Sequence, residues 1–259
     1  AGGTASSPSL GNDTISNFEN VITGTGDDII TANAEDNVLS GGIGDDTFIF
    51  NANTGNDVVN GGSGNDSVDF SAVGDALTFA IDATPVVTGS GTVTLSGVND
   101  YIGGTGDDTF VIQSTAPLAN LNGSGGTDIL SYSLFGASVT VDLAGGTATN
   151  TTGIANIENA VGSNFADTFT GDANANQLTG NAGDDTFIGS GGADVFDGGA
   201  DNDTVDYSAF TTDVTVNLDT GTTTGTGGDT LTSIENATTG SGNDTLIATA
   251  GNNALNGGD

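Results

Sequence analysis

The chain has 259 residues, of which 34 are Asp or Glu and none is Lys, Arg or His, so the formal charge is −34 and no internal salt bridge between side chains is possible. That charge opposes binding to nucleic acid and to anionic lipid. With Cys absent as well, the chain has no ordinary general base, amine nucleophile, thiolate or guanidinium, so no enzyme is expected.

An acidic chain this unbalanced is ordinarily disordered, because self-repulsion opposes compaction. Here the apolar residues are too regularly placed for that. Glycine is abundant and proline scarce, which excludes collagen-like and Pro-rich linker compositions, and the absence of Cys excludes a disulfide framework. No run approaches the roughly 18 apolar residues of a membrane span, and membrane insertion is not expected. The chain opens in mid-pattern at "SLGNDTIS" and stops inside a turn at "NGGD", so it reads as a stretch of a longer repetitive protein.

Taken in order, residues 1–69 form a first repeat block. From Thr23 it reads "TGTGDDIIT", "ANAEDNVLS", "GGIGDDTFI", then two extra residues, Phe50 and Asn51, then "ANTGNDVVN" and "GGSGNDSVD". Position 6 of these nonapeptides is Asp28, Asn37, Asp46, Asp57 and Asp66. Residues 70–93 break the period, and 94–131 form a short second block with Asn99, Asp108 and Asp128 at position 6. Residues 132–161 break it again. The third block, 162–206, runs "GSNFADTFT", "GDANANQLT", "GNAGDDTFI", "GSGGADVFD", "GGADNDTVD" without a gap, with Asp167, Asn176, Asp185, Asp194 and Asp203 at position 6. Residues 207–238 separate it from the start of a fourth block, 239–259, which carries Asp244 and Asn253. One continuous solenoid is expected.

The interblock segments share an aromatic-Ser opening and alternate apolar with polar residues at Leu77/Phe79/Ile81, Val139/Val141/Leu143 and Val214/Val216/Leu218. Period 2 predicts strands with one buried face, here longer strands that widen the solenoid. Two of the segments end in "IEN", echoed by "FEN" at Phe18 to Asn20. No 3.6 periodicity is present, so helix is excluded.

Each nonapeptide reads as a six-residue glycine-rich turn and three strand residues, the second pointing inward. Two nonapeptides per coil stack turns 18 residues apart, about 4.8 Å from one another. Asp167, Asp185 and Asp203 then form one column, with Asn176 and Asp194 opposite; Asp28, Asp46 and Asp66 form another, with Asn37 and Asp57 opposite. The insertion at Phe50 and Asn51 stretches two spacings to 20, and those rungs are expected to be distorted. Curled backbone aims carbonyls at one point, and a carboxylate adds a hard anionic oxygen. An oxygen-only site of this kind suits Ca²⁺ better than Mg²⁺. The candidate ligands are Asp28, Asp46, Asp57, Asp66, Asp108, Asp128, Asp167, Asp185, Asp194, Asp203 and Asp244, with Asp13 of the opening segment and the backbone carbonyls of Gly41, Gly61, Gly103, Gly180 and Gly198. The position-6 Asn turns lack a charged ligand and are expected to be empty, or closed by an Asn side-chain ladder. The position-5 residues Asp27, Asp45, Asp107 and Asp184 are expected to point to solvent.

"GGIGDDTFI" and "GGSGNDSVD" resemble the G-G-x-G-x-D-x-U-x nonapeptide of the repeat-in-toxin (RTX) family, a Ca²⁺-binding parallel β-helix repeat. The resemblance implies an all-β fold, a right-handed parallel β-roll with several Ca²⁺ ions between stacked turns, type I secretion from a Gram-negative bacterium, and folding outside the cell. The long interblock segments resemble those of RTX surface proteins. The function expected is a calcium-rigidified structural segment of a large surface protein, of the surface-layer, filament or adhesin-extender kind. Its partners would be further copies or neighbouring repeats. The alternatives are a glycan- or ice-binding face and a secretion or folding module attached to an enzyme.

Overall fold

In a computed structural model, residues 4–6, 14–16, 19–51, 55–113 and 118–258 are described; Asp13 lies outside them. The described residues hold strands and turns and no helix, so none long and apolar enough to cross a membrane. Two compact units form, residues 1–129 with 150–157, and residues 130–149 with 158–259. Each is a parallel β-roll in which successive short strands alternate between two sheets.

The period sets the register. In the second unit Thr168–Thr170 pairs in parallel with Thr186–Ile188, which pairs with Thr204–Tyr207; in the other sheet Gln177–Ala182 pairs with Val195–Ala200. Every one of these partners is 18 residues away, so two nonapeptides make one coil. Phe169, Phe187 and Val205 therefore fall in one inward column and Leu178 and Phe196 in the other, all fully buried. The Phe169 and Phe187 rings stack 5.2 Å apart, and Phe187 stacks on Phe196 of the opposite sheet at 5.4 Å. The core is one side chain deep from each sheet.

In the first unit the 20-residue rungs keep a constant offset. Val38–Ile43 pairs with Asn56–Ser63, and Thr47–Ile49 with Ser67–Asp69, with no shift in register. The distortion expected from the insertion is absent from these ladders. Phe50 explains why: it is fully buried, its N–H donates to the Asp69 carbonyl, and its ring stacks on Phe70 at 4.6 Å. The two extra residues fall between Thr47–Ile49 and Asn56–Ser63 and belong to neither strand.

The interblock segments supply strands in a specific order. In the first unit Thr78–Ile81, Val86–Thr88 and Thr92–Ser96 form an antiparallel meander in one sheet. Its last strand lies parallel to Asn56–Ser63 of the block before it, and its first strand parallel to Thr109–Ile112 of the block after it. The chain runs ahead and then fills in backwards. The second unit repeats this with Thr215–Asn217, Thr222–Thr224 and Thr230–Thr232, set between Val195–Ala200 and Thr245–Ile247. These short strands add rungs to one sheet. Leu77, Phe79, Ile81, Val139, Val141, Val214, Val216 and Leu218 are buried, as their alternation requires, whereas Leu143 is only half-buried.

Candidate metal centre

The position-6 side chains form a ladder along the edge of each roll. Asp185 Oδ1 accepts the Asp167 N–H at 2.7 Å, and Asp203 Oδ1 accepts the Asp185 N–H at 2.8 Å. Asp46 and Asp66 do the same for the N–H groups of Asp28 and Asp46, both at 2.9 Å, Asp57 for Asn37 at 2.7 Å, Asp128 for Asp108 at 2.7 Å, and Asp194 for Asn176 at 2.9 Å. Where an interblock strand begins, an apolar residue donates instead: Leu77 to Asp108, Val139 to Asp167 and Val214 to Asp244, each at 2.8 Å. One carboxylate oxygen is thus spent joining coils.

The second oxygen separates the candidates. Oδ2 of Asp46, Asp57, Asp66, Asp185, Asp203 and Asp244 is buried with no hydrogen-bond partner. Asp108 Oδ2 accepts the Gly104 N–H at 2.6 Å, Asp167 Oδ2 the Ser163 N–H at 2.6 Å, and Asp194 Oδ2 the Ser190 hydroxyl at 3.1 Å. Asp28 and Asp128 are buried in the same ladder. Leaving a buried anionic oxygen without a donor costs several kcal/mol, so six such atoms mark places built for a positive charge that the chain does not contain.

Position-1 glycines face these oxygens. A β-carbon at Gly41, Gly61, Gly103, Gly180 or Gly198 would come under 3.0 Å from the carboxylate of its own turn, Asp46, Asp66, Asp108, Asp185 and Asp203 in order. The carbonyl of the next coil converges on the same point, Gly198 O at 2.6 Å from the Gly180 position and Gly180 O at 2.8 Å from the Gly162 position. Of the five predicted carbonyls, these two are brought to a carboxylate, while that of Gly41 accepts the Thr23 hydroxyl. Positions 2 and 4 need glycine for another reason: Gly42 and Gly44 have φ of 112° and 133°, which L side chains rarely adopt. Among the described residues no three carboxylates converge. Any cation held here is therefore bound by one or two carboxylates with backbone carbonyls, a hard-oxygen set that fits Ca²⁺.

The Asn turns close on themselves. Asn37 Oδ1 accepts the Asn33 N–H at 3.1 Å and Asn176 Oδ1 the Asp172 N–H at 2.8 Å, while the Asn176 and Asn253 amides donate to the Glu158 and Glu235 carbonyls, both at 2.7 Å. Asn99 Oδ1 instead accepts the Asp66 N–H at 3.1 Å. Position-5 carboxylates are exposed yet not idle. Asp27 accepts the Asp45 N–H at 2.9 Å, Asp45 the Asn65 N–H at 2.8 Å, Asp107 the Thr127 N–H at 2.8 Å and Asp184 the Asn202 N–H at 3.0 Å. This outer ladder reaches forward along the chain, whereas the inner one reaches back.

Asp229 was not among the sequence candidates. It precedes Thr230–Thr232 and continues the Asp194 column, its Oδ1 accepting the Asp194 N–H at 3.0 Å. Its Oδ2 is saturated by hydroxyls: Tyr207 at 2.5 Å, Thr226 at 2.8 Å and Thr223 at 3.2 Å. Burial first, and then the Asp229 charge, push the Tyr207 hydroxyl far above its ordinary range, so it stays a donor. Tyr207→Phe is expected to lower stability by about 1.5–3 kcal/mol, the worth of a buried bond to a charged group, without changing the number of bound ions. Paired thermal melts and metal titrations check both halves. The signal available in sequence was "TGTGGDTLT" at 224–232, a near copy of "TGTGDDIIT".

Burial raises the carboxyls of Asp46, Asp57, Asp194 and Asp203 to about 6 and that of Asp185 to about 7, with neighbouring carboxylates adding to the rise. The folded, metal-free chain therefore holds protons more tightly than the unfolded one, whose carboxyls titrate near 3.8. By linkage, its stability rises as pH falls from 7 toward 4 and is lost as pH climbs through 6–7. Cations compete for the same oxygens, so metal affinity should fall over that window. In metal-stripped buffer the chain is expected to hold more β-structure by circular dichroism at pH 5 than at pH 7.5; the reverse order would refute this.

The sequence pattern of the RTX calcium-binding nonapeptide repeat (4 copies) matches residues 22–52, 49–76, 152–187, 161–196, 170–205 and 236–259, together more than half of the chain. No curated protein matches the chain. Among solved structures, it is similar to the extracellular lipase LipA from Serratia marcescens at 20% identity with a TM-score of 0.27, over 85% of this chain and 39% of that one. The chain thus spans well under half the length of that lipase.

Proposed function

Since the chain belongs to the RTX calcium-binding nonapeptide-repeat family, we propose that it is a calcium-rigidified structural segment of a large secreted bacterial surface protein, a surface-layer, filament or adhesin-extender element that works outside the cell. The observation that carries this reading is the row of buried carboxylate oxygens without donors in a chain of charge −34. Bound calcium supplies the missing positive charge. On this reading Asp46, Asp57, Asp66, Asp185, Asp203 and Asp244 hold ions, each with carbonyls of the adjoining coil, and the roll serves as a stiff spacer with no catalytic role. Its partners are other copies or neighbouring repeats.

A second reading, a ligand-binding face, draws on one observation. Thr140, Thr168, Thr186 and Thr204 stand in register on four adjacent strands. The next outward column reads Asp142, Thr170, Ile188 and Asp206, so no two-dimensional hydroxyl lattice forms. This favours the structural reading.

Electron microscopy of the full-length protein with and without calcium tests the proposal. Rigid rods, filaments or sheets that appear only with calcium are expected. Particles of the same compact shape in both conditions would overturn it.

A further inference from the structure

The repeat blocks end on carboxylates that have no further nonapeptide beyond them. Asp203 closes the third block: it is 0 % exposed, and its Oδ2 has no partner. Inside the block, Asp185 Oδ2 shares its space with a carbonyl of the next glycine-rich turn, that of Gly198. After Asp203 there is no such turn. The chain returns to this edge 30 residues later with the short sequence Ser233-Ile234-Glu235, from the interblock segment.

That short turn is shaped to replace the missing one. Ser233 has φ of 51°, in the left-handed region, and its carbonyl oxygen lies with Asp203 Oδ2 under 3.0 Å from one point beside Gly198. Ile234 is buried and fixes the turn against the core. Glu235 Oε2 accepts the Asp203 N–H at 3.0 Å, while the Glu235 and Asn236 N–H groups donate to the Asp203 carbonyl at 3.1 and 2.9 Å. The glutamate therefore stands where a position-6 aspartate would, with a second oxygen to spare.

The first unit holds the same arrangement with one charge fewer. Asp66, also 0 % exposed with an unpartnered Oδ2, faces the carbonyl of Gly97, whose φ is 63°, and Asn99 Oδ1 takes the Asp66 N–H. Two independent block ends thus use one design: a left-handed residue aims a carbonyl at the last orphaned carboxylate, followed by a buried apolar residue and then by Glu or Asn.

We propose that a calcium ion binds at the junction of block and interblock segment, held by Asp203 Oδ2, the Ser233 carbonyl and the Glu235 carboxylate, outside the nonapeptide pattern. The corresponding site at Asp66 and Gly97, with the neutral Asn99, binds calcium more weakly. This rests on the calcium reading above. The ion ties a repeat block to the segment that follows it, so order spreads from one into the other.

Equilibrium calcium binding to the chain, to Glu235→Gln and to Asp219→Asn, an exposed carboxylate in the turn between Thr215–Asn217 and Thr222–Thr224 and outside the position-6 ladder, tests the proposal. Glu235→Gln is expected to lose one ion per chain, or to bind it at least tenfold more weakly, while Asp219→Asn matches the unaltered chain. Undiminished binding by Glu235→Gln beside a calcium-binding parent would overturn this proposal alone, and no binding by the parent would overturn both readings. Hydrogen exchange on the unaltered chain gives a second measure that does not depend on the variant folding. Calcium should protect the Glu235 and Asn236 amides along with that of Asp185, and protection of Asp185 without them would overturn the junction site.

Discussion

In metal-stripped buffer at neutral pH the chain is expected to lose most of its β-structure and to regain it on addition of calcium. The physical reason lies in the balance of terms. A core one side chain deep from each sheet buries little apolar surface per residue, and 34 negative charges repel with no cation in the chain to offset them. Each ion that binds only the folded form adds about 2.7 kcal/mol at a hundredfold excess over its dissociation constant. A domain's whole stability is about 5–15 kcal/mol. Six orphaned carboxylate oxygens therefore mark enough binding energy to decide whether the chain folds. Circular dichroism through a calcium titration is the check, and β-structure of undiminished thermal stability in excess chelator at pH 7.5 would sink the metal reading.

Gly180→Ala is expected to destabilise the calcium-loaded chain strongly. The added β-carbon would collide with Asp185 Oδ2 and stand 2.6 Å from the Gly198 carbonyl oxygen. The carbonyl belongs to a paired strand and cannot swing away. Gly180 does not have positive φ, so the cost is one of space and not of backbone strain. Overpacking of this kind costs about 1–3 kcal/mol, and exclusion of an ion from the same place adds to it. At about 2–4 °C per kcal/mol for a chain of this size, the melting midpoint in calcium should fall by several degrees. Gly257→Ala, where nothing lies within 4 Å, serves as the control. Equal midpoints for the two variants would show that position 1 is not crowded by its carboxylate.

The part of this structure that repeats could be read in advance, because a coil of fixed length must return the same residue type to the same corner. Asp185 is placed by counting nine from Asp194 and 18 from Asp203. The burial of Phe187 follows from its place two residues after Asp185. What the period does not carry stayed hidden. Alternating burial at Leu77, Phe79 and Ile81 is the same whichever neighbour the strand takes, so the backward filling of the meander left no mark. Asp229 lies in a threonine-rich stretch, and its strongest partner, Tyr207, is 22 residues away. The recurrence of Glu235 in "IEN" was visible, but its role depends on a contact with Asp203 across 32 residues. The exposed Asp27 and Asp45 show a similar limit: exposure follows from their position, whereas the amide each accepts belongs to another coil.

The backward-filled meanders make length and connection separate properties of the chain. Each meander ends against the strand that came before it and begins against the strand that comes after it. Whole 18-residue coils can therefore be duplicated or deleted on either side without altering a residue of the meander itself. Unequal recombination between such near-identical segments would yield proteins of different reach with the same joints, so an ancestral gene could lengthen in steps and remain foldable at each one.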